Sequence, residues 1–260
     1  MIIDFNAYLG GWPFRRLRYN TPESLITLMD KAGIDCAVVS SSSILYRNAH
    51  EGNLELAEQI SRVNDSKRLV PFAIVNPSYS GWKEDVHECV NKLNMKGLRI
   101  HPNYHDYKLN DDCATELFKV AYDMNLPVSI VLRMEDERQH HWLVRVPPVP
   151  VYDIIEVINR FPDIKFILTY IHYREVEPIL NACPDKENFY IEITSHYLFG
   201  AYPNQLQLLL NRIGADKILF GSGMPLKYPE AALIKIQCLD ISSEDKEKIL
   251  HKNAEEILGL

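Results

Sequence analysis

No stretch of this chain approaches the roughly 18 consecutive apolar residues that mark a membrane span. Basic residues are also scarce: 28 Lys and Arg stand against 35 Asp and Glu, for a formal charge of −7. No membrane span is therefore expected. Non-specific nucleic-acid binding is disfavoured, because it runs on Lys and Arg contacts to phosphate. The five cysteines (Cys36, Cys89, Cys113, Cys183 and Cys238) are scattered with no CxxC pair. Such a set points to reduced thiols instead of a disulfide framework. The opening MIIDFNAYLGG is too short and too acidic for a signal peptide, so a cytoplasmic protein is expected. A glycine-rich phosphate loop is missing as well, since Gly10-Gly11 runs into Trp12-Pro13-Phe14, which argues against a dinucleotide-binding open sheet. No repeat, linker or low-complexity segment is visible.

What is present is a regular alternation. Eight short apolar runs read as strands: Ile2–Phe5, Asp35–Ser40, Leu69–Val75, Gly97–His101, Pro127–Leu132, Lys165–Tyr170, Phe189–Ile193 and Lys217–Phe220. They are mostly continuously apolar rather than alternating, as parallel strands covered on both faces should be. Amphipathic helical patterns fill the gaps. One begins at Thr21-Pro22-Glu23, with Thr21 placed to cap and Pro22 suited to the first turn. Cys113, Leu117, Val120, Ala121 and Met124 form another apolar stripe. Eight strand–helix units in 260 residues predict an α/β protein, a single (β/α)8 TIM barrel spanning residues 1–260 with an extra C-terminal helix over Ser243–Leu258. The longest irregular stretch, Met134–Pro150, exceeds the usual connection and is a candidate lid.

In such a barrel the site lies at the C-terminal ends of the strands. The fourth strand end offers His101 and His105, either of which can act as a general base near neutral pH. After the fifth come Arg133, Glu135 and Arg138. Either arginine can anchor a substrate anion, or the group can form an internal ion-pair network. Glu135 is a candidate acid–base group. The sixth end carries Tyr170 and His172, and the seventh carries Glu192, Ser195 and His196. Glu192 stands between Ile191 and Ile193, so it is expected to point into the barrel mouth, where a carboxylate can find partners. Trp12 and Arg15 in the first loop are candidates to cap a pocket.

The segment Asp4-Phe5-Asn6-Ala7-Tyr8-Leu9-Gly10 resembles the D-x-H-x-H-hydrophobic-G start of the amidohydrolase-related family. Phe220-Gly221-Ser222-Gly223-Met224-Pro225-Leu226 is similar to that family's F-G-S-D-x-P segment. Ile249-Leu250-His251-Lys252-Asn253-Ala254 is similar to its closing I-L-x-x-N-A helix. Lys96–Pro102 and Leu126–Ile130 match its fourth and fifth strands. The resemblance implies a metal-dependent hydrolase or decarboxylase-like barrel. It also implies a divergent subgroup, because the metal-ligand positions fall on Asn6, Tyr8, Val131, Tyr170 and Gly223. A hydrolytic metal needs roughly three protein ligands and an open position. The expectation is therefore no metal or other cofactor at the usual place.

Three readings follow. The first is a hydrolase or lyase acting on a small polar, anionic molecule, with His101, His105, His172, Glu135 and Glu192 as catalytic candidates. Asn6, Tyr8, Trp12, Arg15, Arg133, Arg138, Tyr170 and His196 are its candidates for substrate contact. The second is a non-catalytic barrel that binds a small molecule or a partner. The third is a rearranged metal site built from His101, His105, His172, His196 and Glu192. The expected partner is a small-molecule substrate, with no nucleic acid and no membrane, and association into a homo-oligomer is left open.

Overall fold

A parallel strand enclosed on both faces must be apolar on both, and β1 (Ile3–Leu9) is buried at all seven positions. The computed structural model describes residues 1–135, 141–184, 187–194 and 205–260. The seven further strands are β2 (Cys36–Ser41), β3 (Leu69–Pro71), β4 (Leu98–Ile100), β5 (Val128–Val131), β6 (Phe166–Thr169), β7 (Phe189–Glu192) and β8 (Ile218–Leu219). All eight lie within or across the expected runs. β1 extends past its expected end at Phe5, because the polar residues that follow face a closed interior. β3 stops early at Pro71, which has no N–H to give the ladder.

Parallel pairing links β1-β2-β3 and β4-β5-β6-β7-β8. Two seams close the ring. Ala73 bridges Leu98, and Arg99 N donates to Ala73 O at 2.8 Å. At the other seam Phe5 N donates to Phe220 O at 2.9 Å and Tyr8 N to Met224 O at 2.8 Å. The result is a TIM barrel.

Local chemistry sets the helix starts. Thr21 caps α1 (Pro22–Ala32), and Gly33 ends it with a left-handed φ of 70°. Helix α2 (Ala49–Ser61) begins ahead of its apolar stripe because Asn48 accepts from Glu51 N. The chain ends in α9 (Ser243–Glu247), a π turn and α10 (Asn253–Leu258), in place of one uniform helix. Asn253 Nδ2 ties α10 to Ala215 O and Ile218 O, both at 2.8 Å.

The interior is layered. Phe5, Val38, Phe72, Ile167, Tyr190 and Leu219 pack with Ala254 and Ile257 of α10 and close the lower end. The upper end holds Tyr8, Trp12, Leu45, Val131, Met134, Tyr170 and Leu226. Arg99, fully buried, reaches β1 and β2 backbone inside the barrel. Its Nη1 donates to Ala7 O at 2.8 Å, and its Nη2 to Phe5 O at 3.0 Å and Val38 O at 3.3 Å.

Candidate active site

A register shift between Asp4 and Ala7 interrupts the alternation of β1: Ile3 and Phe5 pack in the lower layer, while Asn6 and Tyr8 face the barrel mouth. Asp4 Oδ1 accepts from Asn6 N at 2.9 Å and Ser222 N at 3.0 Å, and its Oδ2 takes the Ser222 hydroxyl. Burial lifts its carboxyl to about 6, against the pull of Ser222. Asn6 Nδ2 donates to Glu192 Oε2 at 3.0 Å and to Thr194 Oγ1 at 3.1 Å. Glu192 also accepts from Thr194 N at 2.5 Å and from its hydroxyl. Burial raises Glu192 to about 7. The Thr194 hydroxyl opposes this, and the Asp4 charge adds to it. Gly221 leaves the room: a Cβ there would stand 2.0 Å from Glu192 Oε1. Lys235 of α8 (Pro229–Gln237) is buried too, with Nζ 2.6 Å from Ile193 O. Desolvation lowers its amine to about 7, although Glu192 pulls the other way.

Beside this network lies a phenol–imidazole group. The Tyr8 ring sits 4.8 Å from Arg99 Cζ and 6.4 Å from the His101 ring, centroid to centroid. His101 in turn faces Tyr104 at 6.4 Å and His105 at 6.1 Å. Burial keeps the His101 imidazole well below its ordinary value, and His105 and Arg99 add to the shift. His105 falls to about 4 by burial. The Tyr8 phenol is pushed up to about 12, and Tyr170 is raised well above 10, both chiefly by burial. All of these groups are uncharged near neutral pH. Both ring nitrogens of His101, Asn6 Oδ1, Tyr8 Oη, Ser129 Oγ and Tyr170 Oη are buried and make no hydrogen bond among the described residues. Tyr170 also holds a left-handed φ of 56°. A bulky residue adopts this region only at a cost of about 1–3 kcal/mol, and such strain gathers at functional sites.

The positions that carry the family's metal ligands converge here, and their chemistry does not fit a divalent cation. Val131 has no donor atom, Gly223 has no side chain, and Tyr8, Val131 and Tyr170 pack as one apolar cluster with Trp12, Met134 and Leu226. The space of a Gly223 side chain is taken: a Cβ there would meet Thr194 Cγ2 at 2.8 Å and Tyr170 Oη at 2.9 Å. Among the described residues no group of three His, Cys, Asp or Glu side chains forms a metal-binding set. The rearranged metal site therefore does not assemble from His101, His105, His172 and Glu192. His196 lies outside the described residues, as do Arg138 and Ser195.

One expected site residue is held by an internal ion pair. Arg133 turns inward: Nη1 donates to Tyr170 O at 2.7 Å and to Glu175 Oε2 at 2.9 Å, and Nη2 binds Glu175 Oε1. Its guanidinium is held by an internal carboxylate and not offered as an anion anchor. His172 caps α6 (Tyr173–Ala182) through its backbone: its N donates to Glu175 Oε2 at 2.7 Å and its O accepts from Glu175 N at 2.9 Å.

Trp12 and Arg15 do stand at the mouth. Trp12 Nε1 donates to Glu135 Oε1 at 3.0 Å, and its ring packs edge-on to Tyr46 at 5.7 Å and Phe14 at 6.2 Å. Arg15 Nη2 donates to Leu226 O. Phe14, Arg15, Met134, Glu135, His141, Leu226 and Lys227 line a cavity of about 130 Å³. The residues that strand-end reading overlooked are Asp4, Arg99, Thr194, Ser222 and Lys227. The argument that placed Glu192, a charge inside an apolar strand, applies equally to Leu98-Arg99-Ile100 and would have found Arg99.

The raised carboxyls give a signed pH dependence. A buried acid whose folded value exceeds its unfolded one stabilises the fold while protonated and loses that contribution as pH rises through the folded value. For Glu192 the window runs from 4.5 to about 7. Glu192→Gln is expected to remove this loss, with the Asn6 amide turned so that its Oδ1 accepts. Thermal melts across pH 4 to 8 should then favour the variant progressively, by on the order of 2–3 kcal/mol at the upper end. Parallel curves for the two proteins would refute this account of Glu192.

The sequence model of the amidohydrolase family matches residues 8–260. A 2,6-dihydroxybenzoate decarboxylase, solved with 2,6-dihydroxybenzoate, superposes with a TM-score of 0.76 at 18% identity, over 100% of this chain and 99% of that one. A dihydroxybenzoic acid decarboxylase from Polaromonas, solved with manganese and 2-nitroresorcinol, gives 0.74 at 19% identity over 100% and 97%. A TIM-barrel protein from Bordetella bronchiseptica gives 0.75 at 20% identity over 99% and 98%. Identities this low speak for the shared barrel, while the match along the sequence speaks for descent. The chain belongs to the amidohydrolase family.

Proposed function

We propose that this protein is an enzyme, a hydrolase or lyase of a small polar anion, and that it works by acid–base chemistry without the family's usual metal centre. The observation that carries this reading is the set of unpaired buried polar atoms at the barrel mouth, from Asn6, Tyr8, His101, Ser129 and Tyr170. An unpaired buried polar atom costs about 1–3 kcal/mol. A site that keeps so many together is supported best as one that water or a ligand completes.

In this reading His101, neutral near pH 7, takes the proton, with His105 beside it. Tyr8 and Tyr170, held protonated by burial, donate to the ligand, and Asn6 accepts from it. Glu192 fixes the Asn6 amide and holds a proton near neutrality. Arg99, with no carboxylate within ion-pair distance among the described residues, sets a positive field beneath the mouth, which favours an anion. Trp12, Arg15 and Glu135 frame the entrance. One observation favours the alternative of a binding-only barrel: among the described residues no carboxylate hydrogen-bonds His101.

The similar structures include decarboxylases of 2,6-dihydroxybenzoate and 5-carboxyvanillate, so these acids are the first substrates to try. The reading expects turnover that survives a chelator and drops by on the order of 100-fold or more in His101→Gln, the usual scale for a lost general base. Turnover that appears only on adding manganese would overturn it. Tight binding without turnover, unaffected by metal, would favour the binding-only barrel.

A further inference from the structure

The loops that follow β2, β3 and β4 enclose a second space, a groove of about 470 Å³ whose lining includes Tyr46, Arg47, Asn48, Asn76, Tyr79 and His105. Helix α2 starts in its wall. Asn48 Oδ1 accepts from Glu51 N at 3.1 Å, so the third N–H of the helix is capped, while the N–H groups of Ala49 and His50 have no partner within the helix. The thirteen residues of α2 stand behind them, and a helix end of this kind favours negative charge. The helix is anchored beside the groove. Asn53 Nδ2 donates to Ile74 O at 2.8 Å and Ile74 N donates to Asn53 Oδ1 at 3.2 Å, two residues before Asn76. Gly52 lets α2 close on Ile44, since a Cβ there would stand 2.4 Å from Ile44 Cγ1.

Asn76 faces the same space and is only 7% exposed. Ser78 N donates to Asn76 Oδ1 at 3.0 Å and Ser78 Oγ donates to it at 2.6 Å. A backbone N–H can meet only the amide oxygen, so the orientation of the amide is fixed with Nδ2 turned from Ser78. Nδ2 makes no hydrogen bond among the described residues. A donor buried this deeply costs stability unless a ligand or water meets it. Arg47 precedes the cap, and its ion pair with Glu55 is long at 3.7 Å, with side chains 62% and 48% exposed. Such a pair holds an arginine weakly. Tyr46 and Tyr79 present open rings to the groove, and Asp106 is the carboxylate of its lining.

We propose that this groove holds a small phosphate ester. Its phosphoryl oxygens accept from the Ala49 and His50 N–H groups, from Asn76 Nδ2 and from Arg47, and its organic part lies against Tyr46 and Tyr79. A phosphoryl group offers three strong acceptor oxygens and a charge of about −1.5 to −2 near neutral pH, which suits donors converging from separate loops. The groove shares no lining residue with the cavity of about 130 Å³ at the barrel mouth, so the assignment stands apart from turnover there.

The test is calorimetric titration of phenyl phosphate, inorganic phosphate and phenol into the whole chain in a phosphate-free buffer. Wild type should bind phenyl phosphate most tightly and inorganic phosphate more weakly, with both affinities falling as salt is raised. Phenol should not bind. Asn76→Asp keeps the side-chain shape and the oxygen that Ser78 needs, but puts an acceptor where the donor was. It should weaken phenyl phosphate by about 10-fold or more, the scale of one lost charged contact. Ala49→Pro removes one helix N–H at a first-turn position that suits proline, after a residue with a ψ of 128°. It should weaken phenyl phosphate by about 5-fold. Asp106→Asn removes the opposing charge at a φ of 56° that asparagine also adopts, and should tighten binding. Unchanged affinity in folded Asn76→Asp and Ala49→Pro proteins would overturn the assignment. So would a wild type that does not bind phenyl phosphate at millimolar concentration, or that binds phenol equally well. Inorganic phosphate bound as tightly as phenyl phosphate would overturn the ester and leave a site for free phosphate. If Asn76→Asp does not fold, Ala49→Pro and Asp106→Asn decide the matter in the same sense.

Discussion

Gly223→Asp is expected to destabilise the protein by about 3 kcal/mol and to confer no manganese or zinc binding. The substitution restores, in sequence, the acidic residue that the family pattern carries at this place. Two independent costs oppose it in the structure. The backbone at Gly223 has a φ of +73°, where a side chain adds about 1 kcal/mol of strain. The first carbon of that side chain then stands 2.8 Å from Thr194 Cγ2 and 2.9 Å from Tyr170 Oη, and overpacking of this kind costs about 1–3 kcal/mol. The gain is a single carboxylate facing Tyr8, Val131 and Tyr170, which cannot complete a ligand set of roughly three. Thermal melts with and without added manganese or zinc test both halves. A variant as stable as wild type, or one whose melting temperature rises with metal, would show that the upper barrel is less tightly filled than the structure indicates.

Arg99→Met should be the more damaging change, with a loss of about 3–5 kcal/mol and a fall in melting temperature on the order of 10 °C. Methionine keeps the stem's volume, so the effect isolates the guanidinium. That group donates to Ala7 O, Phe5 O and Val38 O and so ties β4 to β1 and β2 inside the ring. Without it these buried acceptors lose a donor that no side chain of similar shape replaces. Arg99→Lys should recover part of the loss, because one ammonium reaches fewer of the carbonyls. If Arg99→Met melts within a degree or two of wild type, the three bonds contribute little. The barrel would then be held by its apolar layers alone.

The eight strands were legible because most are largely apolar runs without alternation, a pattern that survives without knowledge of what covers it. Helix starts were legible where the cap is local, as at Thr21. At α2 Asn48 caps the helix ahead of its apolar stripe. Asn6, Tyr8 and Tyr170 were singled out by the resemblance to the family's pattern, and His101 and Glu192 by their place at strand ends; the structure brings these side chains near one another. Sequence left Arg133 open between an anion anchor and an internal ion pair, because its partner Glu175 lies 42 residues away and no local pattern pairs two such residues. Lys227 was passed over because its relation to Tyr170 exists only across the ring.

The sequence by itself determined the alternation of strand and helix, and hence the barrel. It also determined the chemistry available at each strand end. Hydrophobic periodicity and residue identity are local properties, so they can be read locally. Tertiary structure alone decided which polar groups pair with one another and which have no hydrogen-bond partner among the described residues. It alone placed the Tyr170 hydroxyl and the Thr194 methyl in the space a Gly223 side chain would need. Those outcomes depend on distances between strands far apart in the chain, and only closure of the ring fixes such distances.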